Sequence, residues 1–118
     1  MKVSKYNFVK VLVKHIQLKL NNGVHQPYNE SLAVASFLPI FNSYSHRLIN
    51  SGIMDDLYRV DVEKLAEKSK ELFTVTPTIN IPVAGSVVTL TKKDADAFLK
   101  EVEKYGEVDQ VIYLPCQN

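Results

Sequence analysis

Along residues 4–22 the apolar positions change parity. Val9, Val11 and Val13 alternate, then Ile16, Leu18 and Leu20 continue one position out of step. A half-buried strand cannot change faces in that way without a bulge. On a helical projection Phe8, Val9, Leu12, Val13, Ile16 and Leu20 fall on one broad side. Asn7, Lys10, Lys14 and Gln17 fall opposite. Ser4 is placed to cap the start, and Asn22-Gly23 to stop it. The pattern predicts a helix. Val11 and Leu18, seven apart, add a second, narrow apolar stripe. Either a neighbouring segment of the same chain covers it, or it is a seam offered to a partner.

In "VHQPYNESLAVASFLP" Asn29 can cap a short helix that is apolar nearly all round. Its small residues Ala33, Ala35 and Ser36 suit close helix packing. Pro39 disfavours helical geometry at Leu38, so a bend or break is expected there. A further helix then fits residues 40–51, with Ile40, Phe41, Tyr44 and Leu48 inward and Gly52 as its stop. Asn42, Ser43, His46 and Asn50 form a polar stripe on the other side.

After residue 55 the period changes. "DLYRV" reads as a short strand, and Asp61 caps a helix whose inner stripe is Val62, Leu65, Ala66 and Ser69, continuing toward Leu72 and Phe73. "TVTPTINI" and "SVVTLT" are β-branched strands joined through "PVAG", with Pro77 better suited to an edge or a strand start. Thr91 and Asp94 resemble a capping box, with Asp where Glu or Gln is usual. The helix they open carries Ala95, Phe98, Leu99, Val102 and Tyr105 on one face and stops at Gly106. "QVIYL" closes the chain as a strand.

The expected fold is therefore α+β in one domain, residues 1–118. A helical half, 1–52, packs on a small, mainly antiparallel sheet within 53–118. That second half has the order of a ferredoxin-like βαββαβ unit, or of ββαβ if its first strand is absent.

Composition changes this picture little. An apolar fraction of 46% and a charged fraction of 23% are ordinary for a globular chain. No stretch is apolar enough for a membrane span. The N-terminal apolar run is broken by Lys10, Lys14 and His15, with no small-residue cleavage site after it, unlike a secretory signal. The lone Cys116 excludes an internal disulfide, and a cytoplasmic protein is expected. The net charge of +1 hides a split. Residues 1–50 hold six bases and one acid, residues 51–118 eight bases and twelve acids. Such asymmetry suits either an anionic partner or the solvation of a small domain.

Candidate chemistry is sparse. Ser43 and His46 stand three apart, but a regular helix offers neither a strained turn for a nucleophile nor an oxyanion site. His15, His25 and His46 are too dispersed to read as metal ligands. Asp55-Asp56 and Asp94 with Asp96 sit where acids serve turns and helix starts. The four glycines are scattered, so no phosphate loop exists. No cofactor or metal is expected. Lys10 and Lys14 are the best candidates for nucleic-acid contacts, yet Tyr58 and Tyr113 make no stacking platform. The expectation is a small regulatory or protein-interaction module acting as a homo-oligomer, with Val11, Leu18, His46 and Arg47 facing the partner. The alternatives are a nucleic-acid-binding accessory protein and an enzyme with a site where the two halves meet.

Overall fold

A computed structural model of the chain describes residues 1–83 and 85–105. Its architecture is α+β, with five helices and two small antiparallel sheets among the described residues. Helix α1, Lys5–Leu20, is the central element. Ser4 caps it by accepting a hydrogen bond from the Asn7 N–H at 3.1 Å. Its buried residues, Phe8, Val9, Val11, Val13 and Ile16, reach around more than one side. This breadth explains the parity change in the sequence: α1 packs against α2 (Glu30–Ser43) and α5 (Lys92–Glu103), so little of its circumference is free.

A strand that the sequence pattern did not reveal precedes α1. Strand β1, Lys2–Ser4, pairs antiparallel with β2, Arg59–Asp61, placing Val3 opposite Val60. Both valines are fully buried. The core cluster draws on both halves of the chain, from Val3, Val9, Val11 and Val34 to Met54, Val60, Val62 and Val102.

The middle of the chain differs from expectation in two ways. Helix α2 runs through Pro39 without a break. Proline removes the hydrogen bond to the carbonyl four residues earlier, on Ala35. Ala35 is exposed, so water can take that bond. The helix ends instead at Tyr44, whose ψ of 0° separates it from α3, Ser45–Asn50. The expected single helix over 40–51 is thus two pieces, and its inner face is incomplete. Phe41 is buried, but Ile40 and Tyr44 are each 52% exposed.

Asp61 ends β2 and caps α4, Val62–Val75, accepting from the Lys64 N–H at 3.1 Å. Strands β3 (Thr78–Val83) and β4 (Ser86–Thr91) form a hairpin, and Gly85 in its turn takes φ +82°. The strands alternate. Ile79, Ile81, Val88 and Leu90 are covered, while Thr78, Asn80, Val87 and Thr89 are exposed. Pro77 lies just before β3, and Pro82 sits within it opposite Val87. Thr91 opens α5 with the complete capping box.

From β2 to α5 the expected order of strand, helix, strand, strand, helix is present. The strands do not join one sheet, however, because β2 pairs with β1 and the β3–β4 hairpin stands apart. The expected final strand at 110–114, the stop at Gly106 and Cys116 lie outside the described residues. No helix among the described residues is long and apolar enough to cross a membrane.

Candidate functional site

The helices and the hairpin leave an apolar groove of about 310 Å³ where the two halves meet. Phe8, Leu12 and Ile16 of α1 form one wall. Leu65, Leu72 and Phe73 of α4 form the second, and Ala95, Phe98 and Leu99 of α5 the third. Ile79 and Leu90 close it from the hairpin. These are the inner stripes that the helical and strand periods demand. Each stripe finds only part of the cover it needs, and Leu72 remains 46% exposed. Ser69 and Ala95, both small, leave the space between α4 and α5 open.

The polar groups at the rim are few. Lys19 pairs with Asp94 at 2.9 Å. Asp94 also accepts from the Thr91 N–H at 2.8 Å and the Thr91 hydroxyl at 3.1 Å. Partial burial pushes this carboxyl up, but the bonds from Thr91 and Lys19 outweigh it and hold Asp94 below the usual carboxylate range. Lys68 stands at the rim on α4, with no ion-pair partner drawn from the described residues. A second, more polar cleft of about 650 Å³ continues from this rim, between the end of α1 and residues 87–89 of β4. His15, Lys19 and Asp94 border both spaces.

His15 packs edge-on against Phe98, with ring centroids 5.6 Å apart. Burial pushes its pKa down from 6.5; Glu101 and Asp94 oppose that shift, and Lys14 adds to it. The folded state therefore binds the proton less readily than the unfolded chain. Stability is expected to fall as pH drops below about 6.5 through this group. Urea unfolding at pH 7.5 and pH 5.5 checks this: His15→Gln is expected to reduce the loss seen in the parent.

The candidates read from sequence fall elsewhere, with one exception. Val11 is 1% exposed and belongs to the core cluster, so the chain itself covers it and it offers no seam to a partner. Leu18 is half-buried and lines the cleft beside β4. His46 and Arg47 are exposed on α3, where Arg47 lies 5.9 Å from the centre of the Tyr44 ring. Ser43 donates its hydroxyl to the Ile40 carbonyl at 2.6 Å, which closes the last turn of α2 rather than approaching His46. Lys10 lies 3.9 Å from Glu30 and over the Tyr105 ring, and Lys14 lies 3.3 Å from Glu101. The two lysines assigned to nucleic acid thus already face acids of the same chain. Among the described residues no group of three or more His, Cys, Asp or Glu side chains converges.

Sequence reasoning found most of the groove residues as the inner stripes of their helices, without an open groove between them. The available signal was quantity. Residues 62–105 carry apolar faces on two helices and two strands, more than α1 alone can cover. Comparisons with protein-family models, with curated proteins and with solved structures returned no match for this chain.

Proposed function

We propose that the chain is a small protein-interaction module that docks an extended segment of a partner protein. The segment places apolar side chains in the groove and carries an acid that meets Lys68 at its rim. The observation that carries this reading is the groove itself: walls of leucine, isoleucine and phenylalanine beside Lys68, with Lys19 held by Asp94 at the same rim. Concave, mostly apolar sites with a few polar groups at the edge are the common form of a binding site. Rim cations favour an acidic approach and speed encounter more than they add affinity. The homo-oligomer expected from sequence fits the same reading, because Leu72, Val75 and Val87 expose apolar surface that a second copy could bury. For the finer architecture, the ββαβ arrangement is retained as a proposal.

A fluorescent synthetic peptide of residues 107–115, EVDQVIYLP, supplies a probe of this chemistry. Fluorescence anisotropy is expected to report saturable binding to the full chain. Ser69→Phe, which fills the groove, is expected to weaken it at least about tenfold, a change of about 1.4 kcal/mol. Overpacking could itself cost about 1–3 kcal/mol of stability, so Leu72→Glu serves as a second variant. It alters an exposed position and places an acid where the peptide needs an apolar wall. Undiminished binding in both variants contradicts the reading.

A further inference from the structure

We propose that the outward face of α2 is a contact with a second copy of this chain, antiparallel across a two-fold axis. The contact is independent of the docking reading above, and no residue of α2 lines the groove.

Between Glu30 and His46 the chain holds no charged residue. Helix α2 buries Val34 and Phe41 against the core but exposes Leu32, Ala35, Ser36, Pro39, Ile40 and Ser43. These positions recur at spacings of three and four, so they form one stripe along the helix. Leu32 is 64% exposed and Ile40 52%. Both serines turn back on their own helix. Ser36 donates to the Leu32 carbonyl at 2.9 Å, and Ser43 to the Ile40 carbonyl. Their hydroxyl hydrogens are already engaged, so the stripe offers mainly carbon. A surface helix ordinarily turns charged residues outward, and one that is apolar nearly all round belongs under cover.

Self-complementarity names the cover. In an antiparallel pair centred between residues 37 and 38, Leu32 of one copy lies opposite Ser43 of the other. Ile40 then lies opposite Ala35, so large side chains meet small ones along the stripe and the helices can approach closely. The two-fold axis repeats each contact. The same alignment brings Glu30 of one copy within two residues of His46 and Arg47 of the other.

Those ends carry opposite charge and have capacity for it. The Glu30 side chain is 47% exposed and stands 3.9 Å from Lys10. Arg47 lies 5.9 Å from the centre of the Tyr44 ring and has no carboxylate partner among the described residues. About 20 Å of helix separates Glu30 from Ser43, so Glu30 and Arg47 can meet only between copies. Such end charges set the register more than the affinity. A contact of about three helical turns falls short of the roughly 800 Å² per partner of a stable dimer. Association is therefore reversible, and its extent rises with concentration.

Sedimentation velocity of the full chain between about 10 μM and about 1 mM spans the range of so small a contact. A monomer–dimer equilibrium is expected. Ile40→Glu alters an exposed position and should weaken the dimer at least about tenfold with unchanged far-UV circular dichroism. Glu30→Lys and Arg47→Glu should each weaken it several-fold, because like charges then face each other at both ends. An equimolar mixture of those two variants should recover the parent's affinity within about twofold, since each supplies the charge that the other needs.

A chain that remains monomeric at every concentration overturns the inference. A dimer that withstands Ile40→Glu also overturns it, and its loss in Leu72→Glu then places the second copy at the groove. Failure of the mixture to recover affinity excludes the antiparallel alignment and with it the proposal. A monomer that floats with phosphatidylserine-containing vesicles, and is released from them by Ile40→Glu, overturns it in favour of a lipid surface.

Discussion

Phe8→Ala is expected to cost about 3–5 kcal/mol of stability, the largest effect of any single truncation considered for this chain. Phe8 is 8% exposed and joins three helices. Its ring meets Phe98 of α5 edge-on at 5.2 Å and lies tilted against Phe41 of α2 at 5.6 Å. Removing it opens a cavity where both of these ring contacts are lost. The cost combines lost burial, lost ring contacts and a space that α1 cannot collapse to fill. Phe8 is also part of the groove wall, so the same change should weaken peptide binding even where the protein remains folded. Phe8→Leu retains much of the volume and is expected to cost less than about 2 kcal/mol. Urea unfolding checks both, and Val87→Ala at an exposed position should leave the midpoint within about 0.5 kcal/mol of the parent.

Phe8 also marks what was legible in the sequence. Its place on the inner side of α1 follows from the 3.6-residue period, as do the inner stripes of α4 and α5. Short-range chemistry was equally plain: the Ser4, Asn29 and Asp61 caps and the Thr91–Asp94 box all occur where their side chains require them. The features that escaped depend on tertiary context. Strand β1 has three residues and no pattern of its own, and Val3 becomes recognisable only opposite Val60. Pro39 reads as a break until its helix is seen to leave the Ala35 carbonyl accessible to water. Val11 looks like a free stripe because helical spacing does not reveal how many neighbours surround α1. The groove escaped for the same reason: periodicity marks apolar faces but does not reveal whether their covers meet.

Asp55→Ala is the second large effect, expected to cost about 2 kcal/mol. The carboxylate accepts from the backbone N–H groups of Leu57 and Arg59, each at 3.0 Å. It also receives the Arg59 guanidinium at 2.9 Å and the Lys2 ammonium at 3.2 Å. One side chain thereby clamps the turn in which Tyr58 adopts φ +59° and ties β1 to β2. Truncation removes the charged acceptor that these donors share in a partly buried setting.

The same carboxylate links stability to acid. Burial pushes its pKa up, but the bonds from Arg59, Lys2 and Leu57 outweigh that and lower it from 3.8 to about 2. A carboxyl depressed on folding stabilises the protein fully above its unfolded value and loses that contribution as pH falls through its folded value. The window therefore runs from about pH 4 down to about pH 2. The difference corresponds to about 2 kcal/mol before solvent screening and about 1 kcal/mol after it, since the side chain is 21% exposed. Unfolding followed by circular dichroism at pH 5, 3 and 2 should show a steeper loss for the parent than for Asp55→Ala. Equal slopes would contradict this assignment.

The docking reading turns on where an acidic, apolar segment binds. The most direct measurement is a methyl spectrum of the full chain titrated with the unlabelled 107–115 peptide. The account predicts saturable shifts concentrated at Leu65, Leu72, Ile79, Leu90 and Leu99, lost in Leu72→Glu. Shifts confined to methyls outside the groove, such as Val75 and Val24, or no shifts at any accessible peptide concentration, would contradict it.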